Sequence, residues 1–214
     1  MNTLWSKKTQ AHKRHLRSGL TLVEVLIALA IFVVFTLLVS LFAKDIFSLN
    51  GYVSADLNAQ IAGRKTVVAM VKEMREMSPS SLGTFAINQA ATSSVTFYSN
   101  IDTDALKEQV RYYRQGNSLL KSVIKPTGSP LVYNAGSAVV TTAVPVITNS
   151  TSTPIFEYYD SNYSGTTTPL TYPIDTSRIK FIKVNIFLER KSSKSNLPLN
   201  ITSGTSLRNL KDNI

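Results

Sequence analysis

The sequence contains no cysteine and only two histidines, and these absences exclude several kinds of chemistry. Without cysteine there can be no disulfide, no lipid-modified cysteine anchor and no thiolate nucleophile or metal ligand. Both histidines, His12 and His15, precede the rest of the chain, so no Ser/His/Asp arrangement is available. The spacing of the two histidines would suit a metal ion, but no other ligand residues lie near them in the sequence. We therefore predict a protein that is not an enzyme and that holds no metal or other cofactor.

Charge is scarce in two long stretches. Residues 25–43 contain no ionisable side chain, and residues 126–177 contain no lysine or arginine. The second stretch is rich in serine, threonine and proline, which favours long surface loops around short strands.

The first stretch belongs to an apolar run over residues 20–43 that only Glu24 interrupts. As a helix the run would be about 36 Å long, against a hydrocarbon core of about 30 Å. A buried helix of a soluble protein is seldom apolar on every face over this length. A cleaved secretory signal is also disfavoured, because its apolar region is shorter and the A-x-A pattern Ala28-Leu29-Ala30 lies in the middle of the run. We predict a helix that spans a membrane.

The segment before the run is basic and has no acid. It carries half of the net charge of +10, through Lys7, Lys8, Lys13, Arg14 and Arg17. This bias predicts a single pass of the inner (cytoplasmic) membrane, with the N-terminus in the cytoplasm and the C-terminal domain outside. Half of the excess positive charge is thus explained by its role in orienting the membrane helix. We therefore predict no direct binding of nucleic acid.

Glu24 requires an explanation, because an acid inside a membrane costs free energy unless it reaches water or a cation. Two interpretations remain open at this point. The carboxylate can extend to the nearby membrane interface, or it can form an ion pair with another subunit.

Arg17-Ser18-Gly19 followed by Leu20 and, four positions later, Glu24 resembles the cleavage and methylation site of type IV prepilins and type II secretion pseudopilins. The resemblance implies that a prepilin peptidase cuts between Gly19 and Leu20 and methylates the amino group of Leu20. Glu24 then becomes the fifth mature residue, which in that family is the acid used in filament assembly. The family usually has Phe where this chain has Leu20. Near the other end, Ser206-Leu207-Arg208-Asn209 is similar to the ending of minor pilins and J-type pseudopilins.

The resemblance also implies a function and a set of partners. The expected function is that of a minor pilin or pseudopilin, assembled through residues 20–43 as a tip or priming subunit of a surface or periplasmic filament. The expected partners are other pilin or pseudopilin subunits, the prepilin peptidase and an inner-membrane assembly platform. Pilus and secretion pseudopilus both remain open, as does a contact of Glu24 with the Leu20 amine of its own chain or of a neighbour. The alternative is an extracytoplasmic β-domain that binds a ligand and keeps an uncleaved signal anchor.

After the apolar run we predict that the helix continues as an amphipathic segment and ends at Ser78-Pro79. Asn50-Gly51 is a position where the helix could bend. Apolar residues at helical spacing predict an amphipathic stripe along this segment, and the methionines Met70, Met74 and Met77 are assigned to the core. The stripe consists of Ile46, Leu49, Val53, Leu57, Ile61, Val68, Val71 and Met74.

Beyond the helix, β-branched and aromatic runs predict a mostly antiparallel sheet packed on it. Gln115-Gly116-Asn117 indicates a hairpin. The prediction is an α+β fold of the lollipop shape typical of pilins, with a leader at 1–19, a spanning helix at 20–43, its amphipathic continuation at 44–78 and a β-rich domain at 79–214. The predicted strands are 84–87, 95–98, 110–114, 119–124, 131–133, 139–144, 155–159 and 179–188.

Asn100-Ile101-Asp102-Thr103-Asp104 resembles the start of a calcium-binding loop. Ala105 stands where such a loop needs glycine and Arg111 where it needs a bidentate glutamate. We therefore predict a polar turn here and leave weak calcium binding open. The tyrosine pairs at 112–113 and 158–159, with Tyr163, are predicted to pack on the sheet rather than to form a recognition surface.

Overall fold

The computed structural model describes residues 19–189 and 198–207. Most of the predicted leader, including both histidines, and the Arg208-Asn209 part of the C-terminal motif lie outside the described residues.

The described chain contains one long helix followed by eight strands and two short 3₁₀ helices, Ala135–Ser137 and Thr176–Arg178. The helix α1 covers Leu22–Arg75, close to the predicted span, and ends three residues before Ser78. The strands are β1 (Ile87–Ala91), β2 (Ser94–Ser99), β3 (Glu108–Gln115), β4 (Ser118–Ile124), β5 (Val139–Val144), β6 (Phe156–Tyr159), β7 (Phe181–Leu188) and β8 (Leu199–Ser206).

The chain divides into two units, Met1–Leu49 and Asn50–Ile214, and α1 contributes residues to both. In the first unit, the described residues form the start of α1, and their large apolar side chains are exposed on every face. The hydroxyls of Thr36 and Ser40 donate to the carbonyls of Phe32 and Thr36, each at 2.8 Å. Both hydroxyls are therefore satisfied within the helix, as a lipid environment demands.

The second unit contains two antiparallel sheets, with strand orders β1-β2-β3-β4-β5 and β6-β7-β8. The predicted hairpin joins β3 to β4, where Gln115 pairs with Ser118. Gly116 occupies the first turn position with φ of 60°, a conformation that favours glycine. The predicted α+β fold with antiparallel sheets packed on the helix is thus confirmed.

The face of α1 that packs on these sheets differs from the predicted stripe. The buried helix residues are Gly63, Val67, Met70, Val71 and Met74. Of the eight residues in the predicted stripe, only Val71 and Met74 are buried. The other six, Ile46, Leu49, Val53, Leu57, Ile61 and Val68, are about half exposed or more. Most of the apolar stripe is therefore not a buried face, because helical spacing reveals an apolar face but not what covers it.

Gly63 explains where the packed face begins. A Cβ atom at this position would lie 2.6 Å from Ile201 Cδ1 and 2.7 Å from Leu188 Cδ1. The absence of a side chain therefore lets the helix approach the ends of β7 and β8. Three residues further on, Thr66 Oγ1 donates to the carbonyl of Ala143 at 3.2 Å, which ties the helix to β5.

A polar cluster holds the end of the helix on the larger sheet. Glu73 Oε1 forms an ion pair with Lys121 Nζ at 2.5 Å, and Glu73 Oε2 accepts a hydrogen bond from Tyr112 Oη at 2.8 Å. Burial, reinforced by the charge of Glu73, raises the pKa of Tyr112 well above its usual range. Both oxygens of the Glu73 carboxylate thus have partners within the same chain.

Three strand predictions differ from the structure. Residues 131–133 form only an isolated bridge, between Thr127 and Val132, and the first strand begins at Ile87 rather than before it. β8 was missed, because its sequence LNITSGTS contains glycine and few apolar residues. It pairs with β7 along its full length, and Gly204 lies so close to Phe181 that a Cβ there would be 2.4 Å from the ring atom Cζ.

The methionine assignment is confirmed, and so is the tyrosine assignment except at Tyr113, which is half-buried on β3 with Arg111 Cζ 4.7 Å from its ring centroid. Met70, Met74 and Met77 are buried in the core. Tyr112, Tyr158 and Tyr159 are buried as well, and Tyr163 stacks on Phe181 with ring centroids 4.3 Å apart.

Candidate functional site

The predicted processing site lies immediately before the first turn of α1. Gly19 and Leu20 are exposed and non-helical, and the side chain of Leu20 is 75% exposed. Thr21 Oγ1 accepts a hydrogen bond from the backbone N–H of Glu24 at 3.3 Å, and the Thr21 carbonyl accepts one from Val25 at 3.2 Å. Thr21 therefore caps the helix and leaves the Gly19–Leu20 bond in an accessible segment.

Sequence reasoning missed this cap, although the sequence carries its signal. A threonine followed three residues later by a glutamate, just before an apolar run, is the pattern of a capping box. Thr21 and Glu24 match it. The position also places the Glu24 carboxylate in the first turn, where the helix dipole favours a negative charge. The helix itself therefore favours a carboxylate at this position, although the hydrogen bond to Thr21 is made by the backbone of Glu24 and not by its side chain.

The place of Glu24 in the first turn does not provide its carboxylate with a positively charged partner. Within residues 19–189 and 198–207, no positively charged group forms an ion pair with it. The neighbouring side chains are apolar and exposed on all sides, as at Leu26, Ile27 and Ile31. This helix is long and apolar enough to cross a membrane, and its most apolar 18-residue segment is not buried against any other part of the described chain.

Comparison with known proteins identifies the same segment. Residues 14–40 match a family model described as the prokaryotic N-terminal methylation motif. The chain carries a prepilin-type N-terminal motif. This motif includes the predicted cleavage position and Glu24, and it ends within the apolar run.

A search of curated proteins finds no match to the chain. Among solved structures, the chain is similar to one chain of the crystal structure of the GspK-GspI-GspJ complex from the enterotoxigenic Escherichia coli type 2 secretion system. The two are 12% identical with a TM-score of 0.39, and the alignment covers 72% of this chain and 97% of that one.

Outside the prepilin-type motif, the loop between β2 and β3 forms the polar turn expected from its sequence. Asn100 Nδ2 donates to the carbonyl of Asp104 at 2.6 Å, which closes the turn. Asp102, Asp104 and Glu108 also bring carboxylate oxygens within 4.8 Å of one another. Sequence reasoning did not single out Glu108, because nothing in its neighbourhood distinguishes it from an exposed acid at the start of a strand.

Proposed function

We propose that this chain is a minor pilin or pseudopilin subunit that a prepilin peptidase cleaves between Gly19 and Leu20 and methylates at Leu20. The processed subunit assembles through residues 20–43 into a pilus or secretion pseudopilus, as a tip or priming subunit. Its partners are other pilin or pseudopilin subunits and an inner-membrane assembly platform, and its role is structural rather than catalytic.

One observation carries this proposal: the prepilin-type motif coincides with the start of a helix that is apolar on every face over residues 25–42 and has a single acid, Glu24, in its first turn. An anchor alone needs only apolar side chains. An acid without a cation is the feature that an anchor would be expected to avoid.

Cleavage after Gly19 would supply the missing cation. It creates an amino group at Leu20, which stays protonatable after one methylation. When the helix leaves the membrane for the core of a filament, Glu24 loses access to water and headgroups. An ion pair between Glu24 and the Leu20 amine of a neighbouring subunit would then neutralise two charges that an apolar core tolerates poorly.

The basic leader and the position of the helix support the topology. Positive charge before the apolar run favours a cytoplasmic N-terminus, so the unit Asn50–Ile214 would lie outside the inner membrane. The peptidase would then act at the cytoplasmic end of the helix, where the Gly19–Leu20 segment is exposed.

Mass spectrometry of the native N-terminus tests the proposal. In cells that contain a prepilin peptidase, the chain is expected to begin at Leu20 and to be heavier by one methyl group. In cells without the peptidase it is expected to begin at Met1. The variant Gly19→Leu should remain unprocessed, and Gly51→Ala, a change at a glycine far from the cleavage site, should be processed normally.

A chain that begins at Met1 in the presence of the peptidase would contradict the proposal and favour a second function. That function is a membrane-anchored extracytoplasmic domain that binds a ligand and keeps its signal anchor. The position of Glu24 supports this alternative, because the helix dipole favours a carboxylate in the first turn without any assembly.

A further inference from the structure

The strand β8 lies at one edge of the smaller sheet and leaves that edge open. β7 pairs with all of β8 on one side. In an antiparallel pair, every second residue of an edge strand points its N–H and C=O away from the partner strand. Within the described residues, the backbone groups of Leu199–Ser206 have no backbone partner other than β7. The opposite edge, β6, differs, because the Tyr158 carbonyl accepts a hydrogen bond from the N–H of Leu170 at 2.8 Å.

β8 also lacks the features with which exposed edge strands usually avoid pairing with another chain. Such strands commonly carry a lysine, a proline or an inward-pointing charge. The sequence of β8, LNITSGTS, contains no charged residue and no proline. The open edge can therefore accept a further strand.

The helix α1 lies beside this edge and runs in the same direction as β8. A Cβ atom at Gly63 would touch Ile201, and Arg75 Nε donates to Thr205 Oγ1 at 3.3 Å. Beside these contacts, α1 and β8 enclose a groove of about 400 Å³. Consecutive residues from both faces of β8 line the groove, so it follows the edge of the strand rather than one face of the sheet. Its lining consists of Gln60, Arg64, Val67, Val68 and residues 199–203.

The helix side of the groove combines positive charge with an exposed apolar side chain. Arg64, Val68 and Arg75 are four and seven residues apart, so they lie on the same side of α1. The Val68 side chain is 64% exposed. Among the described residues, no acid forms an ion pair with Arg64 or Arg75. Glu73, which lies between Val68 and Arg75 in the sequence, pairs with Lys121 instead.

A strand added at this edge would meet both features of the helix. Its backbone would bond to the outward groups of β8, and its apolar side chains would cover Val68. Ile201 and Thr205, the β8 residues nearest Gly63 and Arg75, are about 13 Å apart along the strand. Two acids four residues apart in the added strand would point to the same side and span this distance, so both arginines could be paired.

We propose that the edge of β8 and the adjoining side of α1 form a docking surface for an extended acidic segment of a partner protein, which joins the smaller sheet as a fourth strand. In this mode of recognition, backbone hydrogen bonds supply affinity and side-chain contacts select the segment. The open edge requires the segment to be extended, and the arginines favour an acidic one. The surface lies outside residues 20–43, so its use does not depend on assembly through the apolar helix.

Nuclear magnetic resonance of the isotope-labelled full chain in nonionic detergent, titrated with the peptide acetyl-Glu-Val-Thr-Val-Glu-amide, tests the surface. The peptide reads the same in both directions, so its acids face the arginines in a parallel or an antiparallel pairing. Saturable shift changes are expected at the amides of β8 and at Val68, and hydrogen exchange at alternate residues of β8 should slow several-fold at saturation. The peptide acetyl-Lys-Val-Thr-Val-Lys-amide should cause no saturable change.

Two neighbouring cations of α1 provide a matched pair of variants. Arg64→Gln should weaken binding of the acidic peptide by about two- to fivefold, because it removes one partly exposed ion pair. Lys65→Gln removes the next cation along the helix, which does not line the groove, and should bind the peptide as the unmodified chain does.

Absence of saturable changes at β8, equal binding of the lysine peptide, or equal losses in Arg64→Gln and Lys65→Gln would each overturn the proposal. Changes at β5, an exposed edge of the larger sheet, in place of β8 would also overturn it. So would slow exchange of the outward β8 amides before any peptide is added, because a second copy or another part of the chain would then already cover the edge. None of these results depends on whether the leader is cleaved.

Discussion

Two glutamates on the same helix have opposite environments. Glu73 has partners for both carboxylate oxygens, Lys121 and Tyr112, within its own chain. Glu24 lies in an apolar, exposed segment, and no cation pairs with it in the part of the chain that the structure describes. The carboxylate of Glu73 is fully paired within the chain, whereas that of Glu24 is explained only in part by its place in the first turn of the helix.

The difference extends to the helix around each acid. Residues 22–42 expose apolar side chains on every face, while the last three turns bury one stripe against the sheets. A helix segment with no buried face gains no packing stability from the described part of its own chain. The contrast between these two parts of α1 can be tested by substitutions that act on one part and not on the other.

Met74→Ala should have the largest effect on the packed part of the helix. Met74 is fully buried, and its truncation is expected to lower the free energy of unfolding by about 2–5 kcal/mol. Val68→Ala, on an exposed face of the same helix, should change it by less than about 0.5 kcal/mol. Urea unfolding of the full chain in detergent, followed by the near-ultraviolet circular dichroism of its tyrosines, measures both. Equal losses in the two variants would mean that the buried face is assigned incorrectly.

Two glycines of α1 should respond to alanine with opposite signs. At Gly63 the new Cβ would meet Leu188 and Ile201, and overpacking should destabilise the domain by about 1–3 kcal/mol. At Gly51 nothing lies within 4 Å, so alanine should stabilise the helix by about 0.5–1 kcal/mol. The same unfolding measurement separates the two. Stabilisation by Gly63→Ala as large as that by Gly51→Ala would show that the Leu188 and Ile201 side chains move aside at no cost, and the predicted opposite signs would be wrong.

Glu73→Gln keeps the size of the side chain and removes its charge. Lys121 would then lack its partner in a mostly buried position, and we expect a loss of about 1–2 kcal/mol. Glu76→Gln, at an exposed position just after the helix, is the control and should have almost no effect. If both variants unfold at the same urea concentration as the unmodified chain, the Glu73 cluster contributes nothing to holding the helix on the sheet.

Much of the fold follows from patterns within single elements. The long apolar run, the proline after the helix and the Gly116-Asn117 turn each indicate a structure from local sequence, and all three are found in the chain. The buried face of α1 could not be predicted in this way. Val53, Leu57 and Ile61 have helical spacing, but they lie before the part of the helix that packs on the sheets.

The other features that were not predicted depend on contacts between residues far apart in the sequence. β8 has little strand character of its own and exists because β7 pairs with all of it. Glu108 looks like an ordinary acid until the turn between β2 and β3 brings it to Asp102 and Asp104. At the candidate assembly site, the motif around Gly19 and Glu24 could be recognised from the sequence, and the Thr-x-x-Glu pattern of the Thr21 cap was present there too, although the cap was identified only in the structure.

The most direct test of the assembly proposal is the amount of subunit incorporated into filaments when Glu24 becomes glutamine. Glu24→Gln keeps the shape of the side chain and removes the charge that the Leu20 amine of a neighbour would neutralise. We expect normal membrane insertion but at least a tenfold lower ratio of filament to membrane subunit, since a tenfold change corresponds to only about 1.4 kcal/mol. Asp45→Asn, an exposed acid further along the same helix, should leave the ratio unchanged. Incorporation of Glu24→Gln at the level of the unmodified chain would contradict the proposed role of Glu24.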